Sequence, residues 1–194
     1  MEATTVRVWD PLIRLFHWSL VISFVAAWVT ADNVKTLHLA AGYVGAGLVA
    51  IRILWGFVGT EYARFGQFVR GPGTVVAYLL AMLRREEPRH LGHNPAGALM
   101  ILALLACMIV LTITGWLYTT DAFWGDEMVE EVHGATASIM LGLVGLHIVG
   151  VIFASLHQGE NLVRSMITGQ KPATIPAEDT GASVDDETRT AGAT

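Results

Sequence analysis

The sequence predicts an all-α membrane protein: a bundle of four transmembrane helices, both termini cytoplasmic, with an interfacial helix between the second and third helices. Three observations carry this expectation. Only 15 % of the 194 residues are charged and 53 % are apolar, against about 25 % charged in an ordinary soluble domain. The charges avoid four windows, residues 12–31, 37–58, 95–118 and 133–156, which hold only Arg14 and Arg52. The segments between the windows then differ in sign, which sets the orientation.

The same arithmetic excludes several classes. A disordered chain needs low hydrophobicity and high charge, and the mean hydropathy here is +0.51. Twelve Lys and Arg face 17 Asp and Glu, which argues against a nucleic-acid partner. Cys107 is the single cysteine, so no intramolecular disulfide, cysteine-rich zinc site or iron–sulfur cluster can form. No C-x-x-C-H run is present to attach a c-type haem.

The first window follows Asp10 and Pro11, a helix start signal. Val29-Thr30-Ala31 has the small residues of a leader cleavage site, but Asp10, Arg14 and His17 break the pattern of a leader, so the window reads as a retained span. The second and third windows are each long enough to cross a hydrocarbon core of about 30 Å at about 1.5 Å per residue. In the third, residues 98–112 carry no polar face until Thr112, unlike a helix of a soluble bundle. Between them, residues 59–94 hold Arg64, Arg70, Arg84, Arg85 and Arg89. Within that stretch Gly71-Pro72-Gly73 breaks the chain, and residues 74–85 read as a helix with apolar Val75, Val76, Leu79, Leu80 and Leu83. Its cationic end suits the inner membrane surface; a connector packed on the bundle is the other reading. Residues 119–132 read as an external loop with Asp121, Asp126, Glu127, Glu130 and Glu131 and no cation. Arg7 precedes the first window, and Arg164 and Lys171 follow the fourth. The basic segments belong inside. A membrane domain over residues 1–171 and a disordered acidic tail over residues 172–194 complete the division.

Four histidines fall in or at the edge of the windows: His17, His38, His133 and His147. Polar groups at membrane depth are costly and point to function. His133 and His147 are 14 residues apart, which places them about 40° from eclipsed and about 21 Å apart along one helix. His17 lies 14 residues before Ala31, about 21 Å below the outer edge, while His38 opens the second window at that edge. The four therefore divide into an inner level, His17 with His147, and an outer level, His38 with His133. Two imidazoles at each of two depths is what two bis-histidine haems require; a proton relay or helix-to-helix hydrogen bonds are the alternatives for any single histidine. Zinc is disfavoured, because its sites gather three or four ligands. Gly42, Gly45, Gly47, Gly134, Gly142 and Gly145 leave room for a macrocycle or for close helix contact. Arg14 and Arg52 are placed to pair with haem propionates or to snorkel to the interface. His90, His93 and His157 lie near the inner side, and His93 and His157 are secondary candidates for a quinone site.

The chain resembles the bacterial di-haem cytochrome b561 family, which includes the b-type cytochrome subunits of nickel–iron hydrogenases. The matching text is Val8-Trp9-Asp10-Pro11 with Arg14 and Phe16-His17-Trp18, Leu37-His38 with Gly42-Tyr43, and Tyr62-Ala63-Arg64-Phe65. Phe68-Val69-Arg70-Gly71-Pro72, Gly92-His93-Asn94-Pro95-Ala96-Gly97, the pair His133 and His147, and Glu160-Asn161-Leu162-Val163-Arg164 follow in order. The resemblance spans residues 6–171. It implies a four-helix bundle in the bacterial cytoplasmic membrane holding two b haems, with ligands on the first, second and fourth helices at His17, His38, His133 and His147. It also implies electron transfer between membrane quinone and a redox partner, either a periplasmic cytochrome or a catalytic subunit. A stand-alone enzyme that oxidises a small external reductant such as superoxide and reduces quinone, and a haem-containing anchor of a redox complex, are the other functions it allows.

Overall fold

The computed structural model describes residues 5–84, 86, 88 and 90–173. A short strand β1 (Thr5–Arg7) leads into α1 (Pro11–Thr30) and α2 (Lys35–Val58). A 3-10 turn (Glu61–Ala63), α3 (Phe65–Phe68) and α4 (Pro72–Leu83) connect to α5 (Pro95–Leu117). Then come α6 (Glu127–His157), α7 (Leu162–Thr168) and β2 (Gln170–Pro172). Four of these helices, α1, α2, α5 and α6, are long and apolar enough to cross a membrane.

Local chemistry explains where they start. Asp10, Asn94 and Asp126 cap α1, α5 and α6, accepting from the backbone N–H of Ile13 (2.9 Å), Gly97 (2.7 Å) and Val129 (2.9 Å). Pro11, Pro72 and Pro95 occupy first-turn positions, where a missing N–H costs nothing.

Two expectations need correction. The stretch 119–132 is not all loop: α6 begins at Glu127, so Glu127, Glu130 and Glu131 stand on its first turns. Acidic residues there favour the positive end of the helix dipole, and the capping Asp126 fixes the start. At 31 residues the helix is about 46 Å long, more than the hydrocarbon core needs. The fold is also not purely helical. β1 and β2 pair antiparallel, with Val6 opposite Lys171 and Thr5 opposite Pro172. Three-residue strands carry no readable alternation, so periodicity could not reveal them. Pro172 therefore belongs to the folded part; of the expected tail, residues 174–194 lie outside the described residues.

The connecting helix starts at Pro72, two residues before the expected boundary, and packs on α5. Tyr78 is buried while Val76, Leu80 and Leu83 are exposed, so one apolar side is left open. Arg85 and Arg89 fall outside the described residues.

α1 packs on α2, α2 on α5, and α5 on α6. The mid-bundle core is Val49, Met108 and Met140, flanked by Leu20, Phe24, Leu104 and Val144. Ser23 Oγ donates to the Ala41 carbonyl at 2.6 Å, tying α1 to α2. A second core of Val8, Trp9, Ile13 and Ala63, with Trp55, Tyr62 and Met166 against it, closes the end that carries β1 and β2. Gly169 stands there with φ +82°, and its carbonyl accepts from Val8 (2.9 Å) and Trp9 (3.1 Å). A β-carbon at Gly169 would strike the Trp9 carbonyl. Large apolar side chains such as Val25, Leu54, Leu146, Val149 and Leu156 are exposed, as lipid-facing positions are.

Candidate functional site

Neither α1 nor α2 packs closely on α6 among the described residues, yet histidines from all three helices face one another across that gap. The rings of His17 and His147 have centroids 6.5 Å apart. Those of His38 and His133 are 6.1 Å apart. A metal–imidazole bond is about 2.0 Å for zinc. With about 1.2 Å from nitrogen to ring centre on each side, a metal between two imidazoles sets their centroids about 6.4 Å apart. Both pairs have that spacing. Among the described residues no group of three or more His, Cys, Asp and Glu gathers as a metal site.

Hydrogen bonds orient the second pair. His38 Nδ1 lies 2.8 Å from the Ala27 carbonyl, which can only accept. His38 Nδ1 therefore carries the proton and Nε2 keeps its lone pair. His133 Nδ1 is 2.9 Å from Thr114 Oγ1. That hydroxyl donates its own hydrogen to the Val110 carbonyl at 2.7 Å, so it accepts from His133, and the His133 Nε2 lone pair is free as well. α5 can approach this closely because Gly115 has no side chain: a β-carbon there would sit 3.3 Å from His133 Cε1. In the first pair His17 meets Trp18 edge-on at 5.1 Å, and its Nδ1 is buried with no hydrogen-bond partner among the described residues.

The glycines separate into two kinds. Gly45 is a packing glycine, facing Met108 at 3.2 Å and Ser23 at 3.4 Å. Gly42, Gly47, Gly134, Gly142 and Gly145 would each place a β-carbon with nothing beyond its chain neighbours and its own helix backbone within 4 Å among the described residues. Gly42 follows His38 by one turn, so open space adjoins that ring.

The two arginines sit at the end with the strands. Arg14 donates from Nη1 to the Ile167 carbonyl, joining α1 to α7, and its Nε is buried without a hydrogen-bond partner among the described residues. Arg52 is 4 % exposed, so it does not snorkel. Its guanidinium lies 4.9 Å from the Phe65 ring centre, and Nη1 is buried without a partner among the described residues. Nearby, the Asp10 carboxylate accepts from Trp55 Nε1 at 3.1 Å and Thr60 Oγ1 at 2.6 Å besides the Ile13 amide. Burial favours its neutral form, but hydrogen bonds from Thr60, Ile13, Trp55 and Leu12 together outweigh this and hold its pKa below the usual value.

His93 and His157 part company. His157 stacks on Phe153 with centroids 5.8 Å apart. His93 is packed between Trp9 (4.5 Å) and Phe68 (4.7 Å) and lines a cavity of about 390 Å³ with Tyr62, Gln67, Arg70 and His90. Burial, with Arg52 and Lys171 nearby, pushes the His93 pKa down to about 3, so the ring is neutral. Its Nδ1 and Gln67 Oε1 are both buried without hydrogen-bond partners among the described residues. Sequence reading missed Gln67 and Thr114. Thr114 had a signal: a polar residue buried in an otherwise apolar helix.

Comparison with known proteins identifies the family. The family described as prokaryotic cytochrome b561 matches residues 8–169. A probable Ni/Fe-hydrogenase B-type cytochrome subunit of Azotobacter vinelandii is 26 % identical over 163 residues, covering 69 % of this chain and 67 % of its own. Its counterpart in Rhizobium leguminosarum bv. viciae is 21 % identical, over 88 % of this chain and 90 % of its own. A probable Ni/Fe-hydrogenase 1 B-type cytochrome subunit of Escherichia coli K12 is 19 % identical, over 84 % and 89 %. No solved structure matches the chain. With a family match across nearly all its described residues and four apolar helices, the chain belongs to the prokaryotic cytochrome b561 family, a multi-pass membrane b-type cytochrome of electron transport.

Proposed function

We propose that the chain holds two haem b groups, His17 and His147 ligating one and His38 and His133 the other, and passes electrons between a redox partner and membrane quinone. The observation that carries this is the pair of imidazole gaps, 6.5 and 6.1 Å between ring centroids. Those four histidines would hold a haem in each gap, which would supply one-electron redox chemistry there. With two histidines in each gap, His17 with His147 and His38 with His133, a bound haem would have no position left for oxygen or substrate, which favours electron transfer. Ala27 and Thr114 hold His38 and His133 in the tautomer that presents Nε2. Arg14 and Arg52 bring buried N–H groups suited to haem propionates.

The strand-bearing end is read as cytoplasmic, because Arg64, Arg70 and Arg84 lie there and the α5–α6 connection is acidic. The membrane is then the bacterial inner membrane. Quinone is assigned to the cavity beside His93, where Gln67 Oε1 accepts from a quinol hydroxyl and the neutral His93 ring offers a second hydrogen bond. The names of the relatives support a catalytic redox subunit of the hydrogenase kind as the partner, ahead of a free periplasmic cytochrome or a stand-alone oxidase of superoxide.

The test is haem quantification with reduced-minus-oxidised spectra on the purified protein. Two low-spin haems per chain are expected. His147→Ala should lose one and His133→Ala the other. A wild-type chain without haem, or a His133→Ala chain that keeps both, would sink the assignment.

A further inference from the structure

Arg52 lies 14 residues after His38 on α2, the same interval that separates His133 from His147 on α6. It therefore occupies the histidine-bearing face of α2, about 21 Å from His38, at the level of His17 and His147. Arg14 lies three residues before His17, one turn toward the same end. Both present a buried guanidinium nitrogen with no hydrogen-bond partner among the described residues.

The charges around the two levels differ. Among the described residues at the strand-bearing end, the cations that are not exposed are Arg14, Arg52 and Lys171 and the anions that are not exposed are Asp10 and Glu160, while Arg7, Arg64, Arg70, Arg84, Arg164, Glu61 and Glu86 are exposed. Lys171 and Glu160, both 4 % exposed, pair at 3.5 Å and cancel. Asp10 offsets Arg52, and His93 is neutral. Among the groups that are not exposed, one cationic charge remains, in surroundings of low dielectric. At the other end Lys35 lies over Trp124 at 4.5 Å, against Asp32, Asp121, Asp126, Glu127, Glu130 and Glu131. Glu130 precedes His133 by one turn and accepts from Tyr118 Oη at 3.0 Å. Backbone dipoles do not undo this difference, because two helix N-termini and two C-termini meet at each end and oppose one another.

Resting on the two-haem reading above, we propose that Arg14 and Arg52 are potential-setting residues: they hold the reduction potential at the His17/His147 level above that at the His38/His133 level. Reduction adds negative charge to a site, so buried cations favour the reduced state and nearby anions oppose it. An electron passing from the His38/His133 level, which is oxidised, to the His17/His147 level, which is reduced, then runs downhill.

The experiment is a spectroelectrochemical titration of the full haem-loaded chain, comparing wild type with Arg52→Gln, Arg52→Lys, Arg14→Gln and Glu130→Gln. Two resolved midpoints are expected. Arg52→Gln and Arg14→Gln should lower the upper midpoint and leave the lower one in place, and Arg52→Lys should restore most of the Arg52→Gln shift. Glu130→Gln, on the surface, should raise only the lower midpoint, so the test survives an Arg52 variant that fails to assemble. Coincident midpoints, or arginine variants that move the lower midpoint or neither, overturn the proposal. Fewer than two haems per wild-type chain overturns the site reading beneath it, whereas two haems in the wrong order overturn this proposal alone.

Discussion

Thr114 Oγ1 lies 2.9 Å from His133 Nδ1 while its own hydrogen is committed to the Val110 carbonyl. A hydroxyl so engaged can only accept, and that determines which imidazole nitrogen faces α2. Thr114→Val keeps the shape and removes the acceptor. Second-sphere partners of this kind are worth about 10–100-fold in metal affinity. Haem content at the His38/His133 level should fall by about that factor in a haem-titration assay, with Thr114→Ser close to wild type. Equal affinity in all three chains would show that the contact does not orient the ring.

Asp10 joins α1, α2 and the 3-10 turn through one carboxylate. Asp10→Ala removes a helix cap, about 1 kcal/mol, and leaves the half-buried Trp55 indole N–H without its acceptor, about 1 kcal/mol or more, while the exposed Thr60 hydroxyl turns to water. Thermal unfolding should show a loss of about 2 kcal/mol. The folded pKa of Asp10 is depressed below the ordinary 3.8. Its contribution is therefore complete above that value and disappears as pH falls below it toward the folded pKa. The stability gap between wild type and Asp10→Ala should be constant at neutral pH and shrink below about 4.

His93 shifts stability in the same direction, as a base that burial holds neutral. Its folded pKa of about 3 is below the unfolded 6.5, so between these values the unfolded chain binds the extra proton. Stability should fall as pH drops below 6.5, by at most about 1.4 kcal/mol per pH unit. His93→Gln should flatten that slope. Parallel pH profiles for the two chains would show that His93 is not held neutral.

The cavity beside His93 has its own readout. Gln67→Leu removes the buried acceptor, and His93→Gln the proton-bearing ring. Both should slow reduction of the haems by a short-chain quinol in stopped-flow measurements while the static haem spectra stay unchanged. Wild-type rates in both variants would move the quinone site elsewhere.

Gly169→Ala places an L residue at φ +82°, about 1–2 kcal/mol on its own, and sets a methyl group against the Trp9 carbonyl. Limited proteolysis should cut the ends of this variant faster than wild type. Unchanged protection would mean that the ladder tolerates the strain.

The spans were legible because charge is costly in lipid: two arginines among the four windows left few other readings. The histidine levels were legible because a 14-residue interval nearly closes four turns of a helix. What escaped depends on contacts far apart in sequence. β1 meets β2 across the whole chain, and neither strand is long enough to show a pattern. The N-terminal extension of α6 was hidden because its acids read equally well as a solvated loop. His93, read from the sequence only as a histidine near the inner side and a secondary candidate for a quinone site, is packed between Trp9 and Phe68. Nothing in the local run around it signals that.

The pairing of Thr5 with Pro172 makes the string of spans into a closed circuit. A cut between α4 and α5 would not release two free pieces. The ladder, the Gly169 bonds and the α2–α5 contact would still bridge them, so halves made separately should find each other and reassemble, and a split reporter could be built at that connection without disturbing either end.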